Sequence, residues 1–328
     1  LVTAVLALSL ALPSSAAGEP RVLAQEAEPT PVAAYGGWVA WSRWDAASNR
    51  FRLVAARGEG APVVLRVRSR SVPFDVDLGP GADGGPVAVY SRCRREVPRR
   101  DWDLGYYPPP YRLGRGCSIY QLDLETGRER QVLSRRGYSL VEPSIWRGTL
   151  AVVVQGRRKD DVHVAKVKRV HGRARFERVR AGSRPDIDFG GPTGLDLTRG
   201  ALAIGWRSFA DRRCPEHPDG FPSASTQILL VTSRRVRELD RGCDLRPRFA
   251  GGTIEVGWPS FSGARLWWNR LVSERGSFVV GRALNGSRRV TTYVDQYAIN
   301  SAAVDAGRAV ISDSHRQIVA IDIPRESR

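Results

Sequence analysis

Six times along this chain a glycine leads a short apolar segment of β-strand character. The segments are Gly37-Trp-Val-Ala-Trp, Gly85-Pro-Val-Ala-Val-Tyr, Gly148-Thr-Leu-Ala-Val-Val-Val, Gly200-Ala-Leu-Ala-Ile-Gly-Trp, Gly252-Thr-Ile-Glu-Val-Gly-Trp and Gly307-Arg-Ala-Val-Ile-Ser. The intervals between the glycines are 48, 63, 52, 52 and 55 residues. A period in this range marks a repeated supersecondary unit that cannot bury its apolar face alone and must stack on its neighbours. The 328 residues would allow one large domain or two ordinary ones. A repeat array resolves this in favour of a single domain, expected over 18–328.

Each unit reads as four strands. The second is the clearest, with Pro73-Phe-Asp-Val-Asp-Leu, Val87-Ala-Val-Tyr-Ser-Arg, Cys117-Ser-Ile-Tyr-Gln-Leu-Asp-Leu and Glu129-Arg-Gln-Val-Leu, the last two joined by the turn signal Glu125-Thr-Gly127. No segment carries a helical period of useful length. The chain is therefore expected to be all-β, a six-bladed β-propeller of four-stranded antiparallel blades. After Gly307 only two strands remain, Ala309-Val-Ile-Ser and Gln317-Ile-Val-Ala-Ile-Asp-Ile, so the sixth blade lacks its outer strand. Pro20-Arg-Val-Leu-Ala-Gln-Glu, ahead of the first unit, resembles the outer strand Arg130-Gln-Val-Leu-Ser of the second. The N-terminal strand is expected to complete the last blade and leave no open edge there.

Two stretches carry a family likeness: Pro143-Ser-Ile-Trp-Arg-Gly-Thr-Leu-Ala-Val and Ile119-Tyr-Gln-Leu-Asp-Leu-Glu-Thr-Gly-Arg-Glu-Arg-Gln-Val-Leu. Their rhythm resembles the blades of the TolB-like propeller family, although the Ser-Pro-Asp-Gly turn usual in that family is absent from every unit. The resemblance implies the fold and leaves function open.

With strands lettered a to d from the channel outward, the b–c loops and d–a connections lie on one face of the disc, and the a–b and c–d turns on the other. The long b–c loops are read as 94–116, 209–225 and 259–276. Long loops gathered on one face of a rigid scaffold are where binding usually resides. The first contains Trp102, Tyr106, Tyr107 and Tyr111 interleaved with Arg95 and Arg99, a mixture suited to sugars, peptides or anionic polymers. Trp267 and Trp268 are candidates to extend that surface, with one of the two exposed because strand neighbours face opposite ways. At the channel mouth, Asp75, Asp77, Glu142, Asp186, Asp188 and Asn300 begin the first strands. Carboxylates there would bind Ca²⁺, provide an acid/base pair, or simply accept backbone N–H groups.

Four cysteines allow three connectivities. The repeat phase favours Cys93 with Cys117 across the 94–116 loop and Cys214 with Cys243. Their spacing is unlike paired zinc knuckles, and no metal or cofactor is indicated. Disulfides and residues 1–17, an apolar run ending in small residues like a truncated secretory leader, point to an exported or cell-envelope protein. The formal net charge of +17 is almost all arginine, since only Lys159, Lys166 and Lys168 are lysines. Arg66-Val-Arg-Ser-Arg70 and Arg173-Ala-Arg-Phe-Glu-Arg-Val-Arg180 alternate like a solvent-facing strand, which argues against nucleic acid. There is no Gly-x-Ser-x-Gly elbow, His-Glu-x-x-His, P-loop or EF-hand loop. The expected function is that of a monomeric binding scaffold without a membrane span, taking a protein, peptide or envelope polysaccharide. The alternative is a hydrolase or lyase using Asp75, Glu142 and Asp188 with Ca²⁺.

Overall fold

The a–b turns show why glycine recurs. Gly36 and Gly37, Arg147 and Gly148, and Ala306 and Gly307 are successive residues with φ between +46° and +83°. Two left-handed residues in a row make a type I′ turn, whose twist matches that of the strands it joins. The second position carries glycine because a Cβ is strained there.

The computed structural model describes residues 20–28, 30–97, 114–156, 162–170, 173–179, 190–208, 211, 213–214, 224–233, 235–243, 253–272, 276–284, 289–295 and 299–323. The first strand is β1 (Arg21–Gln25), followed by blade 1, made of β2 (Val32–Tyr35), β3 (Trp38–Asp45), β4 (Arg50–Arg57) and β5 (Val63–Val64). Blade 2 contains β6 (Asp77–Pro80), β7 (Pro86–Arg92), β10 (Ser118–Asp123) and β11 (Glu129–Leu133). Its b–c connection carries the short pair β8 (Arg95–Glu96) and β9 (Gly114–Arg115). Blade 3 is β12 (Ser139–Trp146), β13 (Thr149–Gln155), β14 (Val162–Val170) and β15 (Arg173–Val179). Blade 4 is β16 (Gly191–Thr198), β17 (Ala201–Ser208), β18 (Ser225–Thr232) and β19 (Val236–Cys243). Blade 5 is β20 (Thr253–Ser262), β21 (Arg265–Val272), β22 (Gly276–Ala283) and β23 (Arg289–Asp295). Blade 6 is β24 (Ile299–Asp305), β25 (Arg308–Asp313) and β26 (Gln317–Asp322), completed by β1. The chain is thus an all-β, six-bladed propeller of four-stranded antiparallel blades. The N-terminal strand closes it: β1 pairs antiparallel with β26, Arg21 opposite Ala320 and Gln25 opposite Gln317. Among the described residues no helix is long and apolar enough to cross a membrane. Residues 1–17 lie outside the described residues.

One glycine was out of phase. Thr253–Ser262, read as a b strand led by Gly252, is the innermost strand of blade 5, and its a–b turn holds Gly263 at φ +58°. Of the segment 259–276, residues 259–272 are consequently the end of β20, a tight turn and β21 rather than a loop, and 273–275 lie outside the described residues. Inner and second strands here are both apolar, so composition alone could not separate them.

Burial explains those continuous apolar runs. The core is six wedges, one between each pair of adjacent blades, and central strands feed two wedges at once. In β13, Leu150, Val152 and Val154 face blade 2, whereas Ala151 and Val153 face blade 4. Alternation by two therefore sorts residues between two apolar interfaces instead of between core and water.

Around the channel each blade is tied to the next by a side chain that accepts a backbone N–H. Ser42 Oγ accepts from Phe74 N at 2.7 Å, Asp77 Oδ2 from Ile145 N at 3.2 Å and Ser144 Oγ from Leu197 N at 2.8 Å. Asp196 Oδ2 accepts from Phe261 N, Ser260 Oγ from Val304 N at 2.9 Å, and Ser301 Oγ from Val32 N at 2.8 Å. These six bonds form a complete circuit. Ser301→Ala should cost about 1–3 kcal/mol, because it orphans the buried N–H of Val32 at the closing junction. Ser48→Ala, in an exposed turn, should cost under about 0.5 kcal/mol. Chemical denaturation of both variants tests this.

Candidate functional site

Both cysteine pairs form as the repeat phase favours, Cys93 with Cys117 and Cys214 with Cys243. Both lie on the face of the b–c loops. The first clamps the root of the long connection in blade 2, where β8 and β9 pair as a neck, Arg95 opposite Arg115 and Glu96 opposite Gly114. The neck packs directly on the disulfide, since a Cβ at Gly114 would lie 2.6 Å from Cys93 Sγ. It is also rooted electrostatically. Glu96 accepts from Arg70 Nε at 3.2 Å and from Ser71 N at 2.7 Å. Arg70 is 2% exposed and also donates to Asp75 Oδ1 and to the carbonyl of Ser91. Arg70 was expected on a solvent face; instead it is a buried pin, whereas β15, carrying Arg173, Arg175 and Arg178, does present its arginines to solvent. Arg95 is exposed on the neck. Arg99, Trp102, Tyr106, Tyr107 and Tyr111 lie outside the described residues.

The blade 4 loop is rooted in a parallel way. Asp211 accepts from Ser225 Oγ at 2.6 Å, from Arg213 Nε at 3.1 Å and from Arg241. Burial would raise its pKa, but the hydrogen bonds from Ser225 and Arg213 and the Arg241 charge outweigh this and hold it well below the ordinary carboxylate range. Glu96, Arg70, Asp211 and Arg241 were not singled out from the sequence, where nothing distinguishes them from other charged residues. Trp267 and Trp268 do not extend this surface. They are 6% and 2% exposed, and Trp268 Nε1 donates to Asp240 Oδ2 at 2.8 Å. Both are buried because β21 is a central strand with a wedge on either side.

The channel holds the second candidate. A cavity of about 160 Å³ extends from Asp75, Glu142 and Trp258 to the ends of the inner strands at Tyr35, Pro80, Trp146, Thr198, Ser262 and Asp305. It therefore occupies the half of the channel nearest the a–b turns, away from the clamped loops. Asp75 is fully engaged: Oδ1 accepts from Arg70, Ser91 N and Ser91 Oγ, and Oδ2 accepts from Glu142 N at 2.8 Å. Asn300 donates to the carbonyl of Asp313 at 2.6 Å. Asp186 and Asp188 lie outside the described residues. Asp77 and Asp196 accept backbone N–H groups in the circuit above, and Ser144 Oγ lies 3.4 Å from Asp196 Oδ1. Burial pushes the Asp77 carboxyl up to about 7, against the pull of hydrogen bonds from Ser144 and Ile145. Burial and the Asp77 charge raise Asp196 well above its ordinary value. Burial, then the charges of Asp75 and Asp77, do the same to Glu142. Among the described residues no three His, Cys, Asp or Glu side chains converge on a metal position.

Solved structures share the architecture. TolB from Acinetobacter baumannii aligns at 14% identity and a TM-score of 0.50, covering 89% of this chain and 65% of that one. A chain of the mitotic checkpoint complex aligns at 12% identity and a TM-score of 0.53, covering 99% and 100%. A gluconolactonase from Xanthomonas campestris aligns at 14% identity and a TM-score of 0.50, covering 94% and 91%. This chain thus spans just under two thirds of the TolB chain it matches. No family model matches the sequence, and no curated protein does. At these identities the likeness carries the fold alone: the chain is a TolB-like propeller in architecture. Its two disulfides are consistent with an extracytoplasmic location.

Two outcomes follow from this geometry. Carboxyls whose pKa is raised on folding bind protons more tightly in the folded chain. Their stabilisation is complete below the unfolded value of 3.8 and is lost as pH rises towards about 7, where Asp77 ionises. Asp77→Asn, which keeps an acceptor for Ile145 N–H, should therefore flatten the decline in stability between about pH 4 and pH 7 by roughly 1–3 kcal/mol. Denaturant titrations across pH read this directly. Replacing Cys214 and Cys243, 29 residues apart, together with serine should cost about 3.5 kcal/mol, the chain-entropy value for a loop of this length. The unfolding midpoint of the double variant checks it.

Proposed function

We propose that this chain is an exported binding scaffold that captures a protein, peptide or cell-envelope glycan on the face of the b–c loops. One observation carries the reading: two separate loops on that face are each tied at the root by a disulfide and a partly buried carboxylate–arginine cluster. Solvated connections of this length require no such anchoring to leave the propeller stable. Anchoring lowers the conformational entropy that a loop loses when it closes on a partner. The residues assigned to contact are Arg95, Arg99, Trp102, Tyr106, Tyr107 and Tyr111, aromatic faces and guanidinium forks that suit sugar rings, peptide side chains and carboxylates. Export accounts for the disulfides, and an envelope rich in anionic polymer accounts for attraction to a chain of net charge +17.

The test replaces 98–113 with a Gly-Ser linker while keeping Cys93–Cys117 and the neck. Binding is measured by biolayer interferometry against solubilised envelope glycans and a displayed peptide panel. Ligands retained by the native chain should lose at least about tenfold in affinity, the scale of a lost aromatic anchor. The melting temperature should be unchanged. Undiminished binding by the loop-replaced chain removes the proposal.

A further inference from the structure

We infer that the central channel is a second, independent site, and that it takes a small organic cation, an amine or guanidinium compound, paired with Glu142. The chain as a whole has 51 Lys and Arg against 34 Asp and Glu. The channel cavity reverses that balance. Asp75, Asp77, Glu142, Asp196 and Asp305 line it, and no Lys, Arg or His does among the described residues.

Four of these five acids have an evident structural task. Asp75, Asp77, Asp196 and Asp305 each accept a backbone N–H from the following blade, on Glu142, Ile145, Phe261 and Gly37 respectively. Glu142 is different. It is 8% exposed, and among the described residues nothing donates to its carboxyl. It is also held at φ +48°, a conformation unfavourable for any residue with a Cβ. A carboxyl buried without donors is costly unless it is protonated or paired. The titratable and charged groups around it are Asp75 and Asp77 on blade 2, Asp196 on blade 4 and Arg70, which is already bound to Asp75. A ligand bearing N–H donors and positive charge supplies what Glu142 lacks.

The rest of the cavity fits the same chemistry. Tyr35, Trp146, Trp258 and Phe261, from blades 1, 3 and 5, line it together with the acids. Aromatic faces beside carboxylates favour organic cations. Its volume of about 160 Å³ matches cavities of about 150 Å³ that admit benzene, enough for a guanidinium or ammonium head with a short chain. Hard metal ions need six or more oxygens at once, and no convergent set exists among the described residues. Because the cation pairs with ionised Glu142, uptake displaces a proton and affinity rises with pH.

The probe is agmatine, titrated calorimetrically into the full chain at about pH 6 and about pH 8, in buffers of different ionisation heat. The expected result is binding that is tighter at the higher pH and accompanied by proton release. Glu142→Gln, which removes no hydrogen bond among the described residues, should fold normally and lose at least about tenfold in affinity, as for a charge-assisted bond. Glu125→Gln, in an exposed turn, should leave binding unaltered. Absence of agmatine binding to the native chain overturns the inference. So does binding that survives Glu142→Gln, or displacement of agmatine by Ca²⁺. The 98–113 replacement is expected to bind agmatine normally, so the two sites fail or succeed separately.

Discussion

The propeller depends on its circuit of six side-chain acceptors around the channel. The blades share no backbone ladder and the apolar wedges between them have no direction, so hydrogen bonds between blades must set their angle. Four of the six inner strands are also irregular. Register breaks between Val141 and Ser144, Pro192 and Gly194, Gly257 and Ser260, and Ile299 and Ser301. A bulge releases N–H groups from the ladder, and buried N–H groups must be satisfied somewhere. Ser144, Ser260 and Ser301, each the first paired residue after a bulge, both follow the irregularity and accept from the next blade. Bulge and tether are thus one device: the local disruption supplies the groups that fix the angle between neighbouring blades.

Four acceptors in the circuit are hydroxyls, but Asp77 and Asp196 are carboxyls joined through Ser144. A hydroxyl would satisfy the same N–H at a smaller desolvation cost than an ionised carboxylate. Placing acids there lines the channel with carboxyls, and the Asp77 charge adds to burial in raising the pKa of Glu142 and Asp196. The structural circuit and the electrostatics of the cavity are therefore set by the same two side chains.

Much of this architecture was legible because type I′ turns demand glycine at a fixed place in the repeat. Gly37, Gly148 and Gly307 announced their b strands for that reason, and the missing outer strand of blade 6 followed by counting. Gly252 misled because the inner strand of blade 5 is as apolar as a second strand. With Gly263 in its place, the interval from Gly200 equals the 63-residue interval from Gly85. The two long intervals are then the two blades that carry the disulfides, a regularity the wrong glycine concealed. Trp267 and Trp268 follow the same phase, since on β21, a second strand, both faces are buried. The site was harder to see. Glu142-Pro143-Ser144 and Trp258-Pro259-Ser260 repeat one pattern in alternate blades, and both lead residues sit near φ +48° and face the cavity. The pattern marks the bulge, but sequence does not reveal that the Glu142 carboxyl meets no donor among the described residues. Nor does it show Arg70 and Arg241 as pins, since burial of a single arginine among many depends on tertiary contacts alone.

The separation of charge decides how far the two sites can influence each other. Arginines on outer strands such as β15 act through water and salt, where fields decay over about 8 Å. The channel carboxyls lie in a medium of low effective dielectric, so their mutual repulsion is felt strongly and the surface charge cancels little of it. A net charge of +17 therefore coexists with a channel lined by carboxyls and by no described Lys, Arg or His. On the proposed reading, anionic polymers would be drawn to the rim and a small cation to the axis. One ring can accordingly present opposite electrostatic preferences at two places, and the arginine excess of the whole chain says nothing about the ligand at its centre.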